Sequence, residues 1–229
     1  KHRPILIAVA LIGFLSLGYE ILWTRILLLF LGNTSYAFSL MLSVYLVCVA
    51  TGGYLYACLS NPGMNEKKVF LVLSLMMSGS VLLTAPFYDK LAHFFQFAHE
   101  VSGENWWLLT LLSFVIVLFV IGLPTILSGA LLPAAVAIID PGKKHTGQGV
   151  GMVVLHNTTG AVLGSLVAGF IMVPAFGLLN SFKYLAVVNL IMVFILALHF
   201  RQRRVLGRVV PSVAIAGILL VFVPMSWDA

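Results

Sequence analysis

Two charged side chains lie inside the first long apolar run of this sequence. The stretch LGYEILWTR at 17–25 contains Glu20 and Arg25, and its surroundings are almost wholly apolar from Pro4 to the turn at Gly32. Ionisable side chains are costly inside a membrane helix, and where they occur they pair with one another, relay protons or line a pathway for a polar substrate. Glu20 and Arg25 are therefore the first candidates for a functional site.

The spacing of this pair determines which partners each side chain needs. Five residues of helix turn the side chains about 140° apart, whereas close pairs within one helix are three or four residues apart. Arg25 lies about 10 Å of helix before Gly32, so its long stem can reach the outer interface and meet a carbonyl, a lipid headgroup or the Asn33-Thr34 turn. Glu20 lies deeper, and we expect it to face the helix bundle and bond to another helix.

The fifth apolar run supplies polar side chains for Glu20. His156 and Asn157 lie near the middle of GVGMVVLHNTTGAVLGSLVAGFIMVP. Three interpretations stay open: a buried hydrogen-bonded clasp between the first and fifth helices, a site that moves a proton or a polar substrate, or side chains that never meet. The same run carries a stripe of small residues that lets another helix pack closely. The stripe consists of Gly149, Gly160, Gly164, Ser165, Ala168 and Gly169.

Other residue patterns predict no catalytic residue, cofactor or metal in this chain. Asp89, His93, His99 and Glu100 carry groups that bind metals, but their spacing is typical of the solvated face of a helix. The glycines within 147–151 open a membrane helix with no strand before them. A dinucleotide fingerprint needs a strand, a turn and a helix, so these glycines do not indicate a nucleotide site.

The composition places the chain in a membrane. Of its 229 residues, 61% are hydrophobic and 9% are charged, and the mean hydropathy is +1.10. A soluble domain carries about 25% charged residues. Long continuous apolar runs predict membrane-spanning helices and exclude an outer-membrane barrel of alternating strands. The net charge of +6 falls in short loops between the runs, so it does not indicate a nucleic-acid partner.

The apolar runs predict an all-α transmembrane domain over 1–229. Seven spans emerge if each needs about 20 apolar residues. Residues 87–105 combine apolar and polar positions at helical spacing, which predicts an amphipathic helix in the outer interface. The seven predicted spans are 5–31, 36–59, 69–86, 106–139, 150–173, 184–200 and 209–223.

The fourth run is the longest and contains two prolines. Its helix would extend about 50 Å, and Pro124 and Pro133 are expected to kink it and free backbone carbonyls. If the run is one span, ten basic residues lie on one side of the membrane and two on the other; if it is two spans, the division is five against seven. Because basic loops stay in the cytoplasm, we expect one span, a cytoplasmic N-terminus and a place in the inner membrane.

Three stretches resemble the membrane domain of the spermidine synthase-like multi-pass proteins, also described as fused transporter/spermidine synthase proteins. They read GYEILWTRILLLFLGNTSYAFS at 18–39, LPTILSGALLP at 123–133 and LHNTTGAVLGSLVAGFIMVPAFG at 155–177, in the order of that family. The resemblance implies a soluble aminopropyltransferase-like domain after the membrane region, and PMSWDA at 224–229 resembles the junction. It carries over no catalytic residue, because this chain has no Gly-rich loop after a strand.

The resemblance, with a likeness to half of a major-facilitator fold plus one helix, sets the expected functions. The first is a membrane scaffold that binds or admits a small polar or lipid-like molecule, or docks partner membrane subunits. The second is half of a small-molecule transporter that works as a homodimer in the lipid bilayer. The third is a structural subunit of a larger membrane complex. A polar cavity around Glu20 would favour the first two functions, whereas dry packing would favour the third.

Overall fold

A computed structural model of the chain describes residues 3–32, 34–61, 63–140 and 146–202, with positions 205 and 207. Within these residues, helices joined by short turns make up the fold and no strand occurs. The elements are α1 (Arg3–Leu31), α2 (Ser35–Leu59), α3 (Glu66–Thr84), a 3-10 segment (Ala85–Lys90), α4 (Leu91–Ser102), α5 (Trp106–Ile139), α6 (Thr146–Val167), a π-helical turn (Ala168–Met172), α7 (Val173–Phe176) and α8 (Leu178–His199).

Six helical stretches in the described part of the chain are long and apolar enough to cross a membrane. They correspond to the first six predicted spans, so the prediction of a multi-pass all-α protein is confirmed there. The fourth span is one helix, α5, whose 34 residues contain Pro124 and Pro133. The predicted seventh span, 209–223, lies outside the described residues.

Polar side chains in the short turns determine where three of the spans begin. Thr34, Asn65 and Asn105 each accept a hydrogen bond from the backbone N–H three residues later, at the starts of α2, α3 and α5. Such a cap satisfies one of the N–H groups that the first turn of a helix leaves without a partner. In each of these turns, one helix therefore ends and the next begins within a few residues.

The 3-10 segment and α4 pack against α1 and α5, where the sequence predicted an amphipathic helix. Phe95 stacks on Phe30 with ring centroids 5.8 Å apart, and Phe87 meets Phe119 edge-on at 5.5 Å. The apolar side of α4 is thus divided between the protein interior and the surroundings. Its buried apolar side chains are Leu91, Phe95 and Ala98, and its exposed ones are Phe94, Phe97 and Val101.

The α1–α6 and α2–α5 interfaces repeat one arrangement of glycines. In each interface a pair of glycines, one on each helix, approaches the facing helix so closely that a Cβ atom on either would overlap a backbone carbonyl oxygen. For this pair, the residue that supplies the oxygen comes three positions before the glycine of its own helix. The equivalent contacts are Gly160 with Ala10 and Gly13 with Asn157 in one interface, and Gly52 with Ile126 and Gly129 with Val49 in the other.

These contacts relate α1, α2 and α3 to α5, α6 and α8 as an inverted repeat. Thr51 and Thr159 directly precede the equivalent glycines of α2 and α6, and each donates its hydroxyl to the carbonyl four residues earlier. The packing of α3 on α5 likewise has its counterpart in the packing of α8 on α1. Because successive spans alternate in direction, the equivalent helices α1 and α5 cross the bundle in opposite senses.

An aromatic cluster holds α1 and α8 against the 3-10 segment. Tyr19 stacks on Trp23 at 5.5 Å and on Phe182 at 6.2 Å between ring centroids. Trp23 Nε1 donates to the Tyr88 hydroxyl at 3.0 Å, and the Tyr88 ring lies 4.7 Å from that of Phe182. Each such ring buries about 150–250 Å², so the cluster fixes the depth at which α8 packs on α1.

Candidate functional site

A polar cavity of about 460 Å³ lies between α1, α2, α5 and α6. Both halves of the inverted repeat line it, since α1 and α2 belong to one half and α5 and α6 to the other. Inverted-repeat transporters place their binding sites at this kind of interface, near the middle of the membrane. The side chains that bring polar atoms to the lining are Ser16, Tyr45, Ser128 and Asn157.

Hydroxyl groups from three helices form a chain along the cavity. Ser16 Oγ lies 3.0 Å from Ser128 Oγ and 3.0 Å from the Tyr45 hydroxyl. The Tyr45 hydroxyl also interacts with the Glu20 carboxyl group. A hydroxyl group can both donate and accept, so either oxygen of each pair can be the donor. The Ser128 hydroxyl, at the end of the chain, can therefore accept a hydrogen bond from a ligand or donate one to it.

Pro133 adds a backbone acceptor to the same cavity. Proline has no N–H, so the carbonyl of Gly129, four residues earlier, lacks its regular α-helical donor. Both residues line the cavity. A carbonyl freed at membrane depth needs another partner, and a bound polar molecule would supply one. Pro124, the other proline predicted to kink the helix, is buried elsewhere in α5 and does not line this cavity.

The partner of Glu20 differs from the one that the sequence predicted. Glu20 is half-buried and meets Tyr45, whereas His156 Nδ1 lies 2.8 Å from the Met152 carbonyl oxygen of its own helix. Asn157 lines the cavity near the hydroxyl chain. A search of the sequence for strongly polar residues misses Tyr45. The signal that could have found it is a hydroxyl-bearing side chain in the middle of the second span.

Arg25 caps a carbonyl in the π-helical turn that follows α6. The N–H of Val173 donates to the carbonyl of Ala168, five residues back. The next N–H in this register would belong to Pro174, which has none. The carbonyl of Gly169 therefore lacks a backbone donor, and Arg25 Nη2 donates to it at 3.1 Å. A carbonyl was among the partners expected for Arg25.

Two glycines of the small-residue stripe bring α6 into backbone contact with α1. A Cβ atom on Gly160 would overlap the Ala10 carbonyl, and one on Gly164 would overlap the Phe14 carbonyl. Gly169 has more room, since a Cβ atom there would lie 3.7 Å from the nearest atom, in Ile21. The close approach places Asn157 in the same cavity as Ser16.

The chemistry of the cavity is hydrogen bonding by hydroxyl, amide, carbonyl and carboxyl groups. Within the residues that the structure describes, no group of three or more His, Cys, Asp or Glu side chains is placed to hold a metal ion. Asp89, His93, His99 and Glu100, in the 3-10 segment and α4, are exposed.

Comparison with known proteins adds no relative whose function bears on this chain. No protein-family model matches it, and no curated protein or solved structure matches it either. The geometry of the cavity therefore carries the functional assignment.

Proposed function

We propose that this protein is a membrane domain that binds a small molecule in the cavity between α1, α2, α5 and α6. The ligand carries hydrogen-bond donors, such as hydroxyl or amine groups, on an otherwise apolar body. The observation that carries the proposal is the hydroxyl chain from Ser128 through Ser16 and Tyr45 to Glu20. This chain and the Gly129 carbonyl offer acceptors, while the remaining lining is largely apolar.

A structural clasp would not need the open volume that surrounds these polar groups. Where α1 and α6 are simply held together, they meet backbone to backbone at their glycines. The polar groups here surround about 460 Å³, and small-molecule pockets measure about 300–1,000 Å³. Lipid tails cannot hydrogen-bond, so filling the cavity with them would leave its acceptors unsatisfied at a cost in free energy. A polar molecule is the better occupant.

Cysteine accessibility tests whether polar solutes enter the cavity. Ser128→Cys and Asn157→Cys are made in a Cys58→Ser background, because Cys58 is exposed, and are treated with a small charged thiol reagent. We expect both to react, since the reactive thiolate forms only where water reaches. Leu163→Cys is the matched control, because Leu163 is exposed on α6 and does not line the cavity.

The background protein without an added cysteine shows how much Cys48 contributes to labelling. If Ser128→Cys and Asn157→Cys react no faster than Leu163→Cys, water does not reach the cavity and the proposal fails. If a candidate ligand protects Ser128→Cys in a saturable manner, the same assay identifies ligands and measures their affinities.

A transporter that works as a homodimer is the second candidate, and the inverted repeat favours it. Secondary transporters combine inverted repeats with discontinuous helices around a midplane site. The π-helical turn interrupts the α6–α7 helix, and Pro133 removes a hydrogen bond from α5 beside the cavity. One copy supplies one open-sided cavity, and a second copy would close it. Cross-linking in native membranes should then trap a dimer, whereas a monomer at all protein densities would contradict this candidate.

We further propose that the chain is the inner-membrane domain of a spermidine synthase-like protein. Each of the three stretches that resemble this family supplies a group at or beside the cavity: Glu20 from 18–39, Ser128 from 123–133, and Asn157 from 155–177. The proposal predicts that the gene encodes a soluble aminopropyltransferase-like domain after codon 229. An unrelated downstream sequence would contradict it without affecting the test of the cavity.

A further inference from the structure

The register of the inverted repeat extends from its glycines to the walls of the polar cavity. Gly13 of α1 corresponds to Gly129 of α5, and Gly52 of α2 corresponds to Gly160 of α6, because they make equivalent contacts with backbone carbonyls. Residues at equal distances along the chain from these glycines are therefore equivalent. The equivalent pairs that line the cavity are Ile12 with Ser128, Ser16 with Leu132, Leu17 with Pro133, and Val49 with Asn157. The cavity thus lies on the pseudo-twofold axis that relates the two halves.

The two ends of the cavity differ in chemistry. Ser16 and Ser128 lie at one depth, since their hydroxyl oxygens are 3.0 Å apart, and they form the polar end. Leu132 follows Ser128 by about one turn of α5, and Ile12 precedes Ser16 by about one turn of α1. Because α1 and α5 run in opposite directions, both aliphatic side chains lie about 6 Å from the serines on the same side. They form the apolar end.

Tyr45 and Glu20 extend the polar end, and their equivalents are apolar. The Tyr45 hydroxyl lies 3.0 Å from Ser16 Oγ and interacts with the Glu20 carboxyl group. The position in α6 that corresponds to Tyr45 is Val153, and the position in α5 that corresponds to Glu20 is Val136. Each of these polar side chains therefore has an aliphatic counterpart in the other half of the repeat.

Two further polar groups lie between the ends. Gly129, whose carbonyl is freed by a proline, directly follows Ser128 and precedes Leu132 along α5. The backbone of Asn157 approaches Gly13, which lies within the turn of α1 that joins the two ends. These groups bring polar atoms to the middle of the cavity and leave the apolar end aliphatic.

We propose that the ligand of this cavity is a long-chain alcohol, bound with its single hydroxyl group at the polar end and its apolar body toward the apolar end. The inference rests on the function proposed above and adds the class and the orientation of the ligand. A hydroxyl group both donates and accepts, so it extends the chain at Ser128 whichever way the hydrogen bonds of that chain run. A second polar group on the ligand would face Ile12 and Leu132, where it would lose its hydrogen bonds to water without replacement.

Protection of Asn157→Cys by two alcohols of one chain length tests this orientation. The variant is made in the Cys58→Ser background and treated with the charged thiol reagent in the presence of octan-1-ol or octane-1,8-diol. The diol carries a second hydroxyl group that would lie at the apolar end. Because the two alcohols also differ in how they partition into detergent, the ratio of their half-protecting concentrations, diol over mono-alcohol, is compared between proteins.

Leu132→Ser gives the apolar end the residue found at the equivalent position of the other half. We expect it to lower the ratio about fivefold, because the second hydroxyl group of the diol gains a partner. Leu163→Ser, the matched control, removes the same side chain from a position of α6 that does not line the cavity and should leave the ratio unchanged.

Ser16→Ala tests the polar end, since it removes a hydroxyl group without adding bulk. It should raise the half-protecting concentration of octan-1-ol about fivefold, and an unchanged concentration would overturn the proposed orientation. Thermal unfolding checks that each variant folds, and the Ser16→Ala comparison remains decisive if Leu132→Ser is unstable.

The outcomes separate this inference from the proposal on which it rests. If Asn157→Cys reacts but neither alcohol protects it, or if Leu132→Ser leaves the ratio unchanged, the one-ended alcohol is overturned while access of water to the cavity stands. If Asn157→Cys does not react, the function proposed above fails and this inference fails with it.

Discussion

The Glu20 carboxyl group lies close to Tyr45 of α2, and this position determines which groups it can act on. A clasp with a histidine of α6 would be a closed pair with no route to a ligand. The Tyr45 hydroxyl instead connects the carboxyl group to Ser16 and Ser128, which line the cavity. The Glu20 carboxyl group thus lies at one end of a hydroxyl chain whose other members line the cavity.

Substitutions of Glu20 should separate charge from hydrogen bonding. Glu20→Gln keeps an oxygen that accepts from Tyr45, so its free energy of unfolding should stay within about 0.5 kcal/mol of the unmodified protein. Glu20→Leu leaves the buried Tyr45 hydroxyl without that partner and should destabilise the fold by about 1–3 kcal/mol. Unfolding of the purified proteins in one detergent measures both changes.

Tyr45→Phe provides the matched control for this prediction. Because Glu20 and Tyr45 interact, Glu20→Leu combined with Tyr45→Phe should cost less than the sum of the two single changes. Strictly additive costs would show that the two side chains contribute to stability independently.

At the scale of the helical elements, the π-helical turn after α6 has an identifiable cause. Pro174 cannot donate to the Gly169 carbonyl, and Arg25 donates to it from α1. The charged side chain within the first apolar span thus completes the hydrogen bonding of another helix. Carbonyls left open at a break in a membrane helix are re-satisfied by neighbouring helices in this way.

Arg25→Leu should destabilise the protein by about 1 kcal/mol, because it removes the donor to the Gly169 carbonyl. Pro174→Ala restores an N–H at the position where the backbone donor is missing. In that background Arg25→Leu should cost measurably less, since the chain can satisfy the carbonyl itself. Unfolding of the unmodified protein, the two single variants and the double variant forms a double-mutant cycle. If Arg25→Leu costs the same free energy of unfolding with and without Pro174→Ala, this account of the turn is contradicted.

The backbone contact between α1 and α6 should not tolerate a larger side chain. Gly164→Leu should destabilise the fold by about 3 kcal/mol or more, because its Cβ atom alone would overlap the Phe14 carbonyl and α1 would have to move away. Gly151→Leu is the matched control on the same helix, since a Cβ atom there meets nothing within 4 Å. Expression level and thermal unfolding measure both, and equal behaviour of the two variants would show that this contact does not matter for stability.

At the scale of the whole molecule, the inverted repeat explains why the polar cavity lies where it does. Glycines let α1 pack closely on α6 and α2 pack closely on α5. The helices α2 and α6 make few contacts with each other and lie on opposite sides of the cavity. Polar atoms gather where the two halves of the repeat face each other.

The orientation of the bundle gives a further prediction. We expect the turn before α3 to be cytoplasmic and α4 to lie on the outer side, as the distribution of basic residues indicates. In a Cys58→Ser background, Glu100→Cys should react with an impermeant thiol reagent in intact cells, whereas Met64→Cys should react only after the membrane is opened. The reverse pattern would invert the topology, and labelling of both in intact cells would contradict the direction of α3.

The sequence alone determined the helical class of the protein and the approximate positions of its described spans, because these are local properties. The length of an apolar run, a capping side chain such as Thr34 or Asn105, and the sign of the loop charges all act within a few residues. The same reasoning predicted that α5 crosses as one helix despite Pro124 and Pro133. The helical spacing of apolar and polar residues within 87–105 likewise predicted the helix α4.

Only the tertiary structure decided which side chains meet and where space remains. The pairing of Glu20 with Tyr45 depends on the rotation and relative depth of α1 and α2, which neither helix specifies by itself. The same holds for Arg25, whose partner carbonyl is freed by Pro174, 149 residues later in the chain. The polar cavity is a volume that packing leaves unfilled, and a volume shared by several helices has no signature in the sequence of any one of them.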